Sequence, residues 1–374
     1  MTATLKALGP NRDQLLSRLG FATTALLLLV IAPMFLSDFR LGLLAKFLCF
    51  AIIAVGIAIA WGNGGMLVLG QGLFFGLGGY CMAMYLKLAE AGSEGLPDFM
   101  VWSGRESLPA FWEPFQHAWF AIGAAIIVPV IFAAALGTLI FRSRVRGPYF
   151  AILTQALSAA FVILLVGQQA VTGGTNGLTN ITTFFGLNLA ETGDKRTLYF
   201  IVALTLGVVY LIARQLLNSR YGKLLIAVRD AEDRVRFLGY SVTRIKVIAF
   251  ATAAGMAGIA GALFVPIVGI ISPALLGIVP SIEMVVWVAV GGRASLAGAI
   301  AGAIAVNWAK SSLSEEFPSG WLYFQGALFI AVVAFAPKGL AGGVAWLKER
   351  FFERLDKKQE AGPTPTQTTA EDPA

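Results

Sequence analysis

Charge is scarce in this chain of 374 residues: Asp, Glu, Lys and Arg make up 13% of it, against 57% hydrophobic residues. Such a balance does not cover the surface of a soluble globule of this size. Histidine occurs once, and His117 has no cysteine or histidine neighbour at ligand spacing, so it reads as an interfacial histidine and no metal centre is expected. Cysteine occurs twice, at Cys49 and Cys81, each inside an apolar run, which favours packing over a bridge or a reactive thiol. No G-x-x-x-x-G-K-[ST] run is present, so the chain does not hold nucleotide in a phosphate loop. No nucleophile and base pair stands out, no catalytic residue is assigned, and no enzyme activity or bound cofactor is expected. The net charge of +7 is no argument for nucleic acid here, because in a membrane protein the position of the basic residues matters more than their sum.

What the sequence has instead is a mean hydropathy of +0.76 and a series of apolar runs long enough to cross a bilayer core. The expected fold is all-α and polytopic. Spans are expected near 19–37, 41–61, 66–88, 118–141, 148–167, 197–217 and 247–271, followed by a segment ending near 292, one over 296–310 and one over 321–337. The segment over 281–306 looks like one long span, but the basic tail then falls on the wrong side. Splitting it at Gly291-Gly292-Arg293-Ala294-Ser295 gives about ten membrane-embedded helices and puts both termini in the cytoplasm, with the basic groups Lys6, Arg12 and Arg18, Arg142 to Arg146, and Arg220 to Lys246. Broken helices need protein or a water-filled cavity to satisfy their freed backbone groups. A second glycine-rich break, "LGQGLFFGLGGY" (69–80), hints at a two-repeat design.

The organisation that follows is a cytoplasmic segment 1–18, a transmembrane domain 19–343, and a cytoplasmic tail 344–374 with the composition of disorder after about 360. Within the domain lie an external loop 90–117, rich in proline and aromatics, and a cytoplasmic loop 218–246. The external loop fits either an interfacial aromatic belt or a docking surface for an outside partner. The cytoplasmic loop carries "RYGKLLIAVRDAEDRVRFLGY" (220–240), with eight charged side chains. Leu224, Val228, Ala231, Val235 and Leu238 recur at steps of four and three and predict an apolar stripe on a helix of about four turns. Arg229 with Asp233, Asp230 with Arg234 and Glu232 with Arg236 are spaced to pair at i, i+4, and Gly222 and Gly239 bracket the helix. A solvated surface helix and a helix that passes force from a soluble partner into the membrane both fit these features.

The run 219–264 resembles the cytoplasmic loop and following span of permease subunits of ABC importers for branched-chain amino acids and related solutes. The resemblance continues in "RVRGPYFAILTQALS" (144–158), "TGGTNGLTNI" (172–181), "ISPALLGIVPSIEMVVWVAVGGRASLAGAIAGA" (271–303) and "LFIAVVAFAPKGLAG" (328–342). It implies a bacterial inner-membrane permease with a second permease subunit, two ATP-binding subunits that hold ATP and magnesium, and a periplasmic solute-binding protein. It also implies that the charged helix docks on the ATPase, through Gly222, Arg229, Asp230, Asp233, Arg234 and Gly239. Within the family, Thr154-Gln155, the loop with "LPDFMVW" and "FWEPF", and "GGRASLAGA" look most like the longer permease subunit of urea importers. Ala294 departs from the glycine expected after the arginine.

A small neutral solute such as urea needs hydrogen-bonding groups rather than fixed charge. Gln71, Thr154, Gln155, Ser158, Thr175 and Asn176 are candidate pathway residues; bonding between helices explains each as well. Gly173, Gly174 and Gly177 fit a tight external turn better than a binding nest. Glu283 is an ionisable residue in a membrane element and a pathway candidate, though Ser281 before it predicts a helix cap with the carboxylate in the first turn. A branched-chain amino acid is the alternative solute. A passive channel or secondary carrier is the alternative class.

Overall fold

The computed structural model describes residues 27–343 apart from 93–94, 146, 190, 318–319 and 336–338. The expected N-terminal segment 1–18, residues 19–26 of the first span and the tail 344–374 lie outside the described residues. Ten helices of 14 residues or more are present among the described residues: α1 Asp38–Ile57, α2 Gln71–Ala91, α3 Ala118–Arg142, α4 Pro148–Gly167, α5 Thr192–Asn218, α6 Arg220–Phe237, α7 Val242–Val268, α8 Ile278–Gly291, α9 Leu296–Glu316 and α10 Trp321–Phe335. A two-residue hairpin, β1 Thr183–Phe184 with β2 Leu187–Asn188, is the sole named sheet among them. The chain is an all-α polytopic membrane protein.

Among the described residues six helices are long and apolar enough to cross a membrane: α1 with its continuation to Asn63, α2, α3, α4, α5 and α7. The break expected at Gly291-Gly292 is present, and α8 and α9 meet there at 120°. With 14 residues, α8 reaches about 21 Å, short of a hydrocarbon core of about 30 Å. It is therefore one arm of a bent pair, where the sequence reading has a separate crossing. Ala294 keeps a negative φ in the turn, since among the described non-glycine residues only Arg144, Asn180 and Phe185 have φ above zero. Alanine consequently fits this turn without strain.

At the centre, α7 packs on α1, α2 and α3. Small residues allow this close approach. A Cβ on Gly78 of α2 would lie 2.2 Å from the Gly258 carbonyl oxygen of α7, and one on Gly258 would lie 2.2 Å from the Ala125 oxygen of α3. Phenylalanines fill the space around these contacts, with Phe74 edge-on to Phe250 at 5.3 Å and Phe75 edge-on to Phe264 at 5.1 Å. By contrast α4 and α5 bury little of their apolar surface, and Tyr149, Ile152, Ile163, Leu204 and Ile212 are exposed on them. Lipid or another apolar surface must cover these faces.

The loop after α2 is organised by ions. Lys87, buried near the end of α2, bonds Asp98 at 3.0 Å, while Glu90 accepts from the Thr182 and Thr183 main-chain N–H groups at 2.6 and 3.0 Å. Trp112 donates its indole N–H to the Val171 carbonyl at 3.2 Å, and Trp102 and Trp119 remain exposed. Gly173, Gly174 and Gly177 all have positive φ in a tight turn, as expected.

Candidate functional site

The charged segment folds as α6. Ser219 caps it by accepting from the Tyr221 N–H at 3.2 Å, and Gly239, at φ +86°, closes it in the left-handed region. Gly222 sits where α5 passes into α6: a Cβ there would lie 2.0 Å from the Leu217 oxygen. The buried stripe is Gly222, Leu225, Val228 and Val235. Leu224 and Ala231 are half-buried, and Leu238, expected in the stripe, is 75% exposed beside Phe237 at 91%. The helix ends at Phe237, so Leu238 falls past its last full turn, and within the helix there is a kink at Ala231, whose φ of −151° and ψ of 67° are not helical. The last turn leaves the direction set by the first half.

The same kink decides the ion pairs. Glu232–Arg236, which lies beyond it, forms at 2.9 Å. Across it the expected i, i+4 geometry is lost, and Arg229 bonds the neighbouring Asp230 at 2.8 Å instead of reaching Asp233. That bond holds the exposed Asp230 carboxyl below the usual carboxylate range. Asp233 meets Arg236 at 3.7 Å, and Arg234 is exposed.

Arg229 also reaches the membrane domain. Its Nη1 donates to the Gly62 carbonyl at 2.8 Å. The helix ends there in a π-turn: Gly64, Met66 and Gly65 N–H groups use the carbonyls of Ile59, Ala60 and Trp61, and the next carbonyl is left for the guanidinium. Gly62 touches the other break as well, since a Cβ on it would lie 1.7 Å from the Arg293 oxygen. The Arg293 guanidinium stands over the Trp61 ring at 5.4 Å. The Gly62–Gly65 end of α1, the Gly292 turn and α6 thus border one cavity of about 650 Å3, lined by Trp61, Gly65, Arg229, Gly292, Arg293 and Ser295 among others; the break expected over 69–80 is instead helical from Gln71 onward, as the start of α2. Two further ties bind α6 to α7: Lys246 to Glu232 at 2.6 Å, and the Tyr221 hydroxyl to the Ile245 carbonyl at 2.8 Å.

The polar pathway candidates divide into two groups. Gln71, Thr154 and Ser158 are buried together around the start of α2. Thr154 Oγ1 accepts from the Leu69 N–H at 3.2 Å, Gln71 Nε2 donates to the Ala253 carbonyl at 2.8 Å, and Ser158 donates to the Leu276 carbonyl. Thr154 and Ser158 thus serve backbone groups between helices, while Gln71 reaches a carbonyl inside α7. The Gln71 Oε1 is buried without a partner among the described residues. Gln155 is half-buried one residue along α4, and Thr175 and Asn176 are exposed in the glycine turn, apart from this cluster.

Ser281 and Glu283 do not form the expected cap. Helix α8 starts at Ile278 after Gly277, so Ser281 lies one turn inside it. Its hydroxyl accepts instead from the Gly72 N–H at 3.1 Å, satisfying an orphan donor of α2 rather than of its own helix. Glu283 turns to Lys310 on α9, which it meets at 2.8 and 2.7 Å through both carboxylate oxygens. Sequence reasoning passed over Lys310 and Lys46. The usable signal was a lysine within or at the edge of an apolar run, as in "LLAKFL".

Known proteins match this architecture over most of its length. The model for the branched-chain amino acid transport system permease component covers residues 39–333. The high-affinity branched-chain amino acid transport system permease protein LivM of Escherichia coli is 28% identical over 343 residues, which is 84% of this chain and 73% of that protein. LivH of Salmonella typhimurium is 22% identical over 308 residues, 78% of this chain and 91% of that protein. No solved structure matches. The matched span runs from the start of α1 almost to the end of α10, taking in the Gly62–Gly65 and Gly291-Gly292 segments and α6 between them, and the chain therefore belongs to the family of branched-chain amino acid transport permease components.

Proposed function

We propose that this chain is one membrane half of an ATP-driven importer, that α6 is its contact with an ATP-binding subunit, and that its solute is a branched-chain amino acid. The second permease half, two ATP-binding subunits and an external solute-binding protein complete the assembly. The observation that carries the coupling role is the Arg229 to Gly62 hydrogen bond, because it ties an amphipathic helix outside the spans to the helix break inside them. A push on α6 reaches α1 through Arg229 and α7 through Glu232–Lys246 and Tyr221–Ile245. The exposed Phe237 and Leu238 at the end of α6 give a partner an apolar foothold.

The solute reading departs from the urea expected from the sequence. The relatives are named for branched-chain amino acids. The side chains that suggested a neutral solute, Thr154, Ser158 and the Gln71 amide nitrogen, are engaged with backbone groups. Urea remains the second reading, supported by Gln155 and by the free Oε1 of Gln71. Uptake of labelled leucine and labelled urea by the assembled importer, each competed by the other, separates the two. A passive channel is tested in the same vesicles: uptake that persists without ATP overturns the importer, as does failure of any ATP-binding subunit to co-purify.

A further inference from the structure

Two lysines and one glutamate gather on α1, α8 and α9, away from the cavity beside Arg229. Glu283 bonds Lys310 through both oxygens, at 2.8 and 2.7 Å. Lys46 on α1 is within electrostatic reach of both. It makes no hydrogen bond or ion pair among the described residues, and its ammonium stands 5.9 Å from the Phe50 ring centroid. Phe50 in turn lies against Trp287 at 4.7 Å, and Trp287, one turn beyond Glu283, has a buried indole N–H with no partner among the described residues.

The depth of the group follows from helix geometry. The Gly62 end of α1 touches the turn between α8 and α9, so all three helices run away from that turn, and α8 stops first. Lys46 lies 16 residues from Gly62, Glu283 nine from Gly292 and Lys310 fourteen from Leu296. At 1.5 Å per residue these are about 24, 14 and 21 Å along the helices from that turn, inside the bundle. The Lys310 side chain is 38% exposed there. A cation held inside the hydrocarbon region needs water or protein against it, not lipid.

Two lysines stand near one carboxylate that Lys310 alone engages, which leaves Lys46 without a direct partner in a medium where charges need one. We propose that Lys46, Glu283 and Lys310 form a transit subsite for a zwitterionic solute: the solute carboxylate meets the lysines, its ammonium meets Glu283, and Phe50 and Trp287 offer the adjoining apolar wall. The subsite rests on the amino acid reading of the solute. It also supplies the charged partners that a zwitterion requires and that the hydroxyl and amide side chains do not.

Lys46 gives the cleanest test, since removing a cation with no ion-pair partner orphans no carboxylate. The complete importer, reconstituted with its binding protein and ATP-loaded, is compared as wild type, Lys46→Met and Lys46→Arg, with Glu283→Gln/Lys310→Met as a charge-matched second variant. We expect leucine uptake to fall about tenfold or more in Lys46→Met and in the double variant, and Lys46→Arg to keep most of it. All variants should retain the partner permease on co-purification. Leucine uptake at the wild-type rate in Lys46→Met and the double variant overturns the subsite and leaves the amino acid reading standing. Wild-type importer that takes up urea and not leucine overturns that reading, and the subsite with it. Loss of the partner permease from Lys46→Met assigns the lysine to a subunit contact and also overturns the subsite.

Discussion

Arg229 and Gly62 are 167 positions apart in the chain and joined by a 2.8 Å hydrogen bond between a guanidinium and a main-chain carbonyl. The bond joins the one strongly charged helix to the end of a span. The bond sits two residues before the kink at Ala231, and Arg229 also bonds Asp230 at 2.8 Å there.

Reversing charge at this contact should uncouple the importer. Arg229→Glu with Arg234→Glu is expected to insert and assemble while losing solute uptake, with ATP hydrolysis no longer raised by solute. The lost charge-assisted bond is worth about 1.5–3 kcal/mol. Uptake and solute-stimulated hydrolysis equal to wild type would show the charged face to be merely solvated.

Filling the α2–α7 contact should destabilise the bundle. A Cβ in Gly78→Ala would meet the Gly258 oxygen at 2.2 Å, whereas one in Gly123→Ala on α3 meets nothing within 4 Å. Overpacking of this kind costs about 1–3 kcal/mol. A thermal unfolding series in detergent should show Gly78→Ala melting lower and Gly123→Ala unchanged or higher.

Ser281 separates structural from solute-contact roles near the start of α2. Ser281→Ala leaves the buried Gly72 N–H without its acceptor, at a cost of about 1–3 kcal/mol. The expected outcome is a lower melting temperature with leucine and urea discrimination unchanged. A change in discrimination at wild-type stability would place this hydroxyl on the solute route.

The loop network at the end of α2 should behave as a clasp. Lys87→Met strands the Asp98 carboxylate and removes the anchor at the base of the 98–102 turn. Loss of one partner of a charge-assisted hydrogen bond costs about 1.5–3 kcal/mol. Limited proteolysis should cut the segment 95–117 faster in this variant than in wild type, and equal rates would show the loop held by Trp112 and its aromatic neighbours instead.

The sequence by itself determined the class of the protein. Apolar runs of spanning length admit only helices where no water is present, so the spans over α3, α4, α5 and α7 could be placed from composition, and the Gly291-Gly292 break from the side on which the basic tail should fall. Local rules also sufficed for Gly239 and for the glycine turn at 173–177, because positive φ is a property of the residue itself. What tertiary structure decided was where each polar group spends its hydrogen bonds. Ser281 reads locally as a cap, yet its hydroxyl serves a helix 209 positions away in sequence. Glu283 reads as a first-turn carboxylate, yet a lysine on the next helix takes it. Sequence spacing fixes which partners are near along one helix; in a bundle of broken helices the unsatisfied backbone groups and stray charges are matched between elements, and only the packed fold brings those together.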